Sequence, residues 1–334
     1  MMKSREIHLV QRPTGMPSAD DFALVERALV PVQDGQLLVR NHWMSVDPYM
    51  RGRMVERESY VPPFALNAAM EGGAVGEVVE SRHPGFVAGD LVLSMMGWRE
   101  AFVSDGAGLT KLPNLPVPAQ SFLGVLGMPG LTAYAGLLRI GKPKEGDVVF
   151  VSAAAGAVGA TVAQIAKAKG CTVIGSAGSD AKCDWLKSIG VDATINYRTS
   201  TNLTKSLAEA APKGIDIYFD NVGGAHLEAA LHVMRPFGRI PVCGMIAGYN
   251  ATEAEPGPAN IIMVIPKRLT ITGFIVTDHY DMMSDFVRDM GQWMQEGKMA
   301  WQETVNDGIQ SAPQAFLNLF SGANNGKMLV KLTA

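Results

Sequence analysis

The stretch "DVVFVSAAAGAVGATVAQIAKAKG", residues 147–170, decides the fold of this chain. Its opening, "DVVFVS", predicts a strand, and its close, "ATVAQIAKAKG", predicts a helix. Between them, Gly156 and Gly159 occupy the last two glycine positions of the dinucleotide-binding fingerprint G-x-G-x-x-G, and Ala154 occupies the first. A strand, a glycine turn and a helix in this order are the context that the fingerprint requires.

Each glycine of this turn has its own physical role in a cofactor site. Gly156 lets the backbone approach a pyrophosphate at the helix N-terminus, where free N–H groups and the helix dipole favour an anion. Gly159 lets the helix pack close to the strand. Ala154 adds one methyl group, which a slightly wider turn accepts. A tight turn in an α/β domain without a cofactor explains the glycines equally well, so other features must decide.

Strands and helices alternate on both sides of this turn. The strands are predicted at 147–153, 172–177, 193–197, 214–223, 239–245 and 269–276. The helices are predicted at 156–170, 179–190, 201–212, 225–238 and 282–299. Such alternation indicates a parallel sheet with helices on both faces, which is a doubly wound α/β domain.

The first part of the chain has a different sequence pattern, without the regular alternation of strands and helices. Segments rich in valine and leucine lie between glycine, proline and aspartate residues, and they predict short strands of a β-rich, barrel-like domain at 22–30, 36–46, 74–81 and 90–95. The final "GKMLVKL" (326–332) also predicts a strand, and we expect the C-terminal tail to rejoin the first domain. The predicted domains are 1–125 with 303–334, and 126–302.

The composition excludes several classes of protein. The net charge is −3 and no run of basic residues occurs, which argues against nucleic acid as a partner. Three cysteines, Cys171, Cys183 and Cys243, argue against a disulfide framework and a cysteine-rich zinc site. None of the six histidines has a metal-ligand spacing with another histidine or cysteine. Without a signal core or an apolar run of about 18 residues, the sequence predicts a reduced, cytoplasmic protein with no membrane segment.

The second predicted strand indicates which nicotinamide cofactor is used. An NAD enzyme has Asp or Glu about 20 residues beyond the glycines, whereas this chain has Gly175 and Ser176. Lys182 follows and is able to donate to a 2′-phosphate, with Arg198 as a possible helper. The pattern favours NADPH over NADH. The alternative is that Lys182 is an ordinary solvated helix residue.

Two polar side chains follow predicted strands at the edge where an open α/β sheet binds its ligand. Asn221 is well placed to hydrogen-bond a cofactor, although an Asn-assisted turn explains it too. Tyr249 is a candidate proton donor or oxyanion partner, or equally a packed wall of the site.

Several segments together resemble the zinc-independent medium-chain dehydrogenase/reductase family. The branch is that of the leukotriene B4 12-hydroxydehydrogenase/prostaglandin reductases and the bacterial NADPH-dependent curcumin reductases. The segments are "VSAAAGAVGATVAQIAKAKGCTVIGSAGSDAK" (151–182), "INYR" (195–198), "FDNVGG" (219–224), "GRIPVCGMIAGYN" (238–250), "GFIV" (273–276), "NNGKMLV" (324–330), "SVDPYMRGRM" (45–54) and "GMPGLTAYAGL" (127–137). The resemblance covers nearly the whole chain.

The resemblance implies a GroES-like β-rich catalytic domain, a Rossmann domain that binds NADPH, and a homodimer. It implies cofactor contacts from Gly156, Ala157, Val158, Gly159, Lys182, Tyr197, Asn221, Cys243, Gly244, Tyr249, Phe274, Ile275, Val276 and Asn324. It implies that Tyr49 and Tyr249 line the substrate pocket. Where related zinc enzymes carry metal ligands, "AMEGGAVGEV" (69–78) has no histidine, so no metal is implied. The family writes the turn A-x-G-x-x-G, so Ala154 is the residue expected there.

Three functional hypotheses follow. The preferred one is NADPH-dependent reduction of the carbon–carbon double bond of α,β-unsaturated ketones and aldehydes, such as curcumin-like enones, alkenals and oxo-prostaglandin-like compounds. Tyr249, Tyr49 and the nicotinamide ribose hydroxyl compete as donors to the carbonyl oxygen, and the proton comes from Tyr249 or water. The alternatives are an NADPH:quinone oxidoreductase of the same superfamily, and a binding protein of the crystallin or nucleic-acid-binding kind.

Overall fold

A computed structural model describes residues 2–254 and 256–332. The strands are β1 Lys3–Leu9, β2 Phe22–Ala28, β3 Leu37–Ser45, β4 Ala68–Ala69, β5 Ala74–Ser81, β6 Leu91–Ser94, β7 Ala101–Ser104, β8 Thr110–Lys111, β9 Val148–Val151, β10 Thr172–Ala177, β11 Ala193–Asn196, β12 Ile215–Phe219, β13 Met234–Val242, β14 Thr270–Gly273, β15 Glu303–Asp307 and β16 Lys327–Lys331. The α-helices are α1 Met50–Arg53, α2 Met128–Ala135, α3 Ala157–Ala168, α4 Asp180–Ser188, α5 Leu203–Ala210, α6 Gly224–Val233, α7 Val264–Lys267, α8 Met283–Gln295 and α9 Ala312–Ser321. A π-helical segment, Gly136–Gly141, continues α2.

The chain divides into two compact units. The first unit comprises Met1–Leu123 and Glu303–Ala334, and the second unit comprises Gly124–Gln302. The first unit is therefore built from both ends of the chain, whereas the second unit is one continuous segment.

The first unit is rich in β-structure. One sheet has the strand order β15-β16-β3-β5-β6-β8, with β7 also paired to β3, and a smaller sheet has the order β2-β1-β4. The C-terminal strand β16 runs antiparallel to β3. Its buried Lys327 donates from Nζ to Asp47 Oδ1 at 3.0 Å and to the carbonyl oxygens of Val46 and Met328. A buried ammonium needs such partners, because an unpaired buried charge is strongly destabilising.

The second unit contains a parallel sheet in the order β11-β10-β9-β12-β13-β14. The order reverses between β9 and β12, and ligands bind beyond the carboxyl ends of the strands at such a point. Val149 and Val151 of β9 join a core with residues of α3, while Phe150 joins a core with Leu207 of α5 and Leu231 of α6. Alternate side chains of one strand thus serve two cores, as helices on both faces require. The predicted fold class, a β-rich part followed by a doubly wound domain, is confirmed.

One predicted helix is too long. The prediction of a helix over 225–238 is wrong beyond Val233, because β13 begins at Met234. Pro236 cannot continue a helix and disfavours helical geometry at Arg235, and Phe237 has a left-handed φ of 65°.

Within residues 2–254 and 256–332, every helix is too short or too polar to cross a lipid bilayer.

Candidate active site

The glycine turn follows β9 directly, at the reversal of strand order. Ala153 has a left-handed φ of 48°, and the Gly156 N–H donates to the Ala153 carbonyl oxygen at 3.0 Å. A methyl group at position 159 would clash with that same carbonyl oxygen, so only glycine lets α3 lie this close to the turn. A methyl group at position 156 would lie 3.3 Å from the Ala153 carbonyl oxygen, a tight contact that a small shift relieves. Gly159 therefore has the packing role that the fingerprint predicts.

Ala154, at the first position of the fingerprint, packs against β10. Ala154 is buried, and its N–H donates to the Ser176 carbonyl oxygen at 2.9 Å. A methyl group at Gly175 would lie 2.9 Å from the Ala154 methyl carbon. The extra methyl in the turn is thus accommodated by a glycine on the neighbouring strand.

The N-terminus of α3 points out of this turn. Gly156 is the N-cap residue and no side chain caps this end of the helix in the described part of the chain. Ala157 and Val158 follow as the first helical residues. Their N–H groups belong to the first turn, where the backbone donors have no partner within the helix and the dipole is positive. This arrangement fits a pyrophosphate.

The residues predicted to bind the adenosine end converge beyond β10 and β11. Lys182 lies in the first turn of α4, where its N–H donates to Ser179 Oγ at 3.3 Å. The Tyr197 hydroxyl and Arg198 Nε lie 2.8 and 3.3 Å from the position that a methyl on Gly178 would take. Burial, and then the charge of Arg198, lower the pKa of Lys182. Two cationic groups and a hydroxyl that meet at a helix N-terminus fit a phosphate group.

At the end of β12, Asn221 is held against Ser152, the residue that follows β9. Its N–H donates to Ser152 Oγ at 2.9 Å, and its side-chain Nδ2 donates to the Ser152 carbonyl oxygen at 2.7 Å. These two bonds fix the Asn221 side chain and do not use its Oδ1 or its second amide hydrogen. The sequence did not point to Ser152, because β9 and β12 become neighbours only in the folded sheet.

Asp220, the residue before Asn221, forms hydrogen bonds with both the segment after β12 and the loop after β13. Its Oδ1 accepts hydrogen bonds from the Tyr218 hydroxyl at 2.7 Å and from the Val222 and Gly223 N–H groups at 2.9 and 2.7 Å. Its backbone carbonyl accepts from the N–H groups of the next two predicted cofactor contacts, Cys243 at 2.9 Å and Gly244 at 3.1 Å. Burial is the main cause that raises the pKa of Asp220. The sequence did not indicate the contacts of Tyr218 and Asp220, although both are polar residues close to the end of a strand predicted to be buried.

Tyr249 lies over the loop that follows β13. Its hydroxyl is 3.0 Å from the position that a methyl on Gly244 would take, and the Asn221 carbonyl oxygen is 3.8 Å from that position. The side chain is half-buried. The structure thus brings Asn221, Gly244 and Tyr249 together at the ends of two neighbouring strands.

Phe274, Ile275 and Val276 follow β14, and all three are half-buried. The Phe274 ring packs edge-on against Phe219, with 6.2 Å between the ring centroids. A methyl group at Gly136, the first residue of the π-helical segment, would clash with the Phe274 ring. The π-helical segment therefore supports the position of this predicted nicotinamide contact.

Tyr49 and Asn324 belong to the first unit. Tyr49 precedes α1, and its buried hydroxyl has no hydrogen-bond partner among the described residues. Burial, and then the charge of Asp47, raise the pKa of Tyr49. Asn324 lies in the turn before β16, where Nδ2 donates to the Gly326 carbonyl oxygen at 2.9 Å. Their roles toward cofactor and substrate stay predictions.

No metal cluster is found in the part of the chain that the structure describes: residues 2–254 and 256–332 contain no group of three or more His, Cys, Asp or Glu side chains able to hold an ion.

Comparisons with known proteins agree with this geometry. Residues 5–112 match the sequence model of a family described as "N-terminal domain of oxidoreductase", and residues 157–294 match one described as "Zinc-binding dehydrogenase". The NADPH-dependent curcumin reductase of Escherichia coli is 44% identical, with 99% of this chain and 97% of that protein covered. Prostaglandin reductase 1 of Bos taurus is 42% identical, with 99% and 100% covered.

A solved structure extends the comparison to three dimensions. CurA from Vibrio vulnificus in complex with NADPH matches with a TM-score of 0.93 and 42% identity, and 99% of each chain is covered. With the glycine turn, the strand order and these relatives together, the chain belongs to the zinc-independent medium-chain dehydrogenase/reductase family, in the branch of the prostaglandin reductases and bacterial curcumin reductases.

Proposed function

We propose that this protein reduces the carbon–carbon double bond of α,β-unsaturated ketones and aldehydes with NADPH. The observation that carries the proposal is the phosphate-binding edge of the second unit. There, the Gly156–Gly159 turn and the Lys182 group lie at the carboxyl ends of neighbouring parallel strands. Support for the substrate class comes from the names of the relatives, which include curcumin reductase, 2-alkenal reductase and prostaglandin reductase.

The residues of the second unit fit NADPH in three places. The turn Gly156–Gly159 receives the pyrophosphate on the N–H groups of α3. Lys182 and Tyr197 hold the 2′-phosphate, and Arg198 adds charge at the same place. Asn221 and the loop that starts at Cys243 line the cofactor toward its nicotinamide end. When bound there, NADPH supplies the hydride that the reaction adds to the β-carbon of the enone.

Three further residues orient the nicotinamide and the substrate. Phe274, Ile275 and Val276 flank the nicotinamide ring, with the Phe274 ring braced by Phe219. The apolar side chains keep water from the reacting carbon atoms, which strengthens the electrostatic interactions inside the site.

Tyr249 is our first candidate for the donor that stabilises negative charge on the substrate carbonyl oxygen. Its hydroxyl lies beside Gly244, at the edge where the cofactor loops meet. One donor of this kind lowers the activation free energy by about 3 kcal/mol. The same hydroxyl is a candidate source of the proton for the α-carbon, in competition with water, and Tyr49 is the second candidate donor.

The direct test is to follow NADPH absorbance while the protein turns over a panel of substrates. We expect oxidation of NADPH with long-chain 2-alkenals and with curcumin-like enones, and a much lower rate with NADH. A p-quinone panel run in parallel separates the alternative reaction. Turnover of quinones without turnover of any enone or alkenal would replace the proposed function by quinone reduction.

We also propose that the protein forms a homodimer in the cytoplasm. β14 is at the edge of the parallel sheet, and isoleucines near it are largely exposed, with Ile262 at 63% and Ile265 at 70%. An unpaired strand edge beside exposed apolar side chains is unfavourable in water, and a second copy relieves it. Free thiols at Cys171, Cys183 and Cys243 suit a reducing compartment. Sedimentation of the wild type and of Ile265→Glu tests the dimer; a wild-type monomer rejects it.

A further inference from the structure

Asp220 is buried and has an unusual set of partners. Its side chain is fully buried, and Oδ1 accepts three hydrogen bonds, from Tyr218, Val222 and Gly223. Its other oxygen, Oδ2, is buried without a hydrogen-bond partner among the described residues. Burial raises the pKa of Asp220, and burial together with the Asp220 charge raises the pKa of the Cys243 thiol to about 12. The fold thus buries a carboxyl group at a position where its ionised form lowers the stability of the folded protein.

Asp216, an aspartate within β12, shows the difference. Asp216, near the amino end of β12, accepts a hydrogen bond from the Val148 N–H at 2.8 Å and forms an ion pair with Arg235 at 2.9 Å. Asp216 therefore has both a backbone donor and a cationic partner. No ion pair with Asp220 is found among the described residues. The two partners of Asp216 show that it stabilises the strand, whereas the buried, unpartnered oxygen of Asp220 needs another explanation.

The hydrogen bonds of Asp220 reach three loops of the candidate site. Oδ1 fixes the turn after β12 through the Val222 and Gly223 N–H groups, and the backbone carbonyl fixes the loop after β13 through Cys243 and Gly244. The Tyr218 hydroxyl also lies 3.1 Å from Ser152 Oγ, which holds the Asn221 N–H. One carboxyl group thus connects the segments that follow β9, β12 and β13.

On this geometry, and resting on the proposed function, we propose that Asp220 is a positioning residue for the nicotinamide half of the cofactor. Through Tyr218 and Ser152 it fixes Asn221, and through its own carbonyl it fixes Gly244, which lies under the Tyr249 hydroxyl. Asp220 does not touch the reacting atoms. The adenosine end of the site, built around Lys182 and Tyr197, does not depend on it.

The test compares two ligands on the full-length protein. NADPH contacts both halves of the site, whereas 2′,5′-ADP occupies only the adenosine end. For Asp220→Asn we expect the dissociation constant of NADPH to rise about tenfold, because a hydrogen bond to a charged group is lost or displaced. The dissociation constant of 2′,5′-ADP stays within about twofold of the wild type. Tyr218→Phe, which removes only the hydroxyl, shifts NADPH binding in the same direction by about threefold.

Asp216→Asn is the matched control. It removes the charge of an aspartate within β12, the strand that Asp220 follows, so it lowers the unfolding temperature while both dissociation constants stay at the wild-type level. Unchanged NADPH binding in Asp220→Asn and Tyr218→Phe overturns the positioning role, as does equal weakening of NADPH and 2′,5′-ADP. If Asp220→Asn does not fold, Tyr218→Phe decides alone. A wild type that binds no NADPH rejects the proposed function itself.

Discussion

The amino edge and the carboxyl edge of the parallel sheet in the second unit, where its strands begin and end, differ in how their aspartates are paired. At the amino edge, three aspartates each accept a backbone N–H and each pair with a basic side chain: Asp147 with Arg239, Asp192 with Lys167 and Asp216 with Arg235. At the carboxyl edge, Asp220, Ser176 and His226 each keep a buried polar atom without a partner among the described residues.

This difference suggests that the amino edge contributes mainly to stability and the carboxyl edge mainly to function. At the amino edge all three carboxylates are paired, although Arg239 Nε is also buried without a hydrogen-bond partner among the described residues. We therefore expect changes to these aspartates to act mainly on the free energy of unfolding. The carboxyl edge has three buried polar atoms without a partner among the described residues, and it places Arg198 close enough to Lys182 to lower the pKa of that lysine. The following experiments test how changes at the carboxyl edge act on cofactor binding, on catalysis and, at His226, on stability in acid.

The largest effect is expected for Gly159→Val. The new side chain clashes with the Ala153 carbonyl oxygen, so α3 must move away from the turn and its N–H groups leave the pyrophosphate. We expect NADPH binding, measured by fluorescence titration, to be lost. Gly291→Ala on α8 is the control, since a methyl there meets nothing within 4 Å, and it should bind NADPH normally. Normal binding by Gly159→Val contradicts the assignment of the turn.

Tyr249→Phe should lower kcat for enone reduction about 100-fold while the NADPH dissociation constant stays unchanged. The change removes the hydroxyl beside Gly244 and leaves the ring in place. Tyr280→Phe is the control, because Tyr280 is 55% exposed. A kcat of Tyr249→Phe at the wild-type level transfers the donor role to Tyr49 or to the ribose hydroxyl of the cofactor.

His226→Phe should reduce the loss of stability in acid. Burial lowers the pKa of His226 from 6.5 to about 4, so the unfolded chain takes up a proton before the folded protein does. Stability is then lost as the pH falls from 6.5 toward 4, and at about pH 5 this amounts to about 2 kcal/mol relative to neutral pH. Urea unfolding of wild type and variant at neutral pH and at about pH 5 measures the difference. Equal acid sensitivity of the two proteins contradicts the expectation.

Lys182→Ala should raise the KM for NADPH about tenfold and leave that for NADH unchanged, because only NADPH carries the 2′-phosphate. Lys187→Ala on the same helix is the control, since Lys187 is exposed and pairs with Asp184 at 3.1 Å. Equal losses for the two cofactors would mean that Lys182 supports α4 rather than the phosphate.

The parts of this site that are local in sequence were predictable. β10 occupies 172–177, the bounds that the sequence predicts, and the helix after the glycine turn begins at Ala157, one residue after its predicted start. Both depend on neighbours within a few residues, so the sequence pattern contains the necessary information. The helix that was predicted to continue to 238 shows the limit, since the apolar period extends past Pro236 into a strand.

The hydrogen-bond network around Asp220 could not be predicted in the same way. Ser152 and Asn221 are 69 positions apart, and they meet only because β9 and β12 become neighbours at the reversal of strand order. Asp220 itself looks like an ordinary turn residue in the sequence. Its burial, its three donors on one oxygen and its missing cationic partner emerge only from the packed sheet.

The split of the first unit between the two ends of the chain has a consequence for synthesis. The second unit is continuous, so its sheet can close while the ribosome is still making the tail. In the first unit, β16 lies between β15 and β3, and its Lys327 fills the buried position beside Asp47. Until residues 327–331 emerge, β3 lacks its β16 neighbour and Asp47 lacks its cation. The nascent chain therefore has an unpaired strand edge during most of its synthesis. Such an edge is prone to aggregation, and chaperones protect against this.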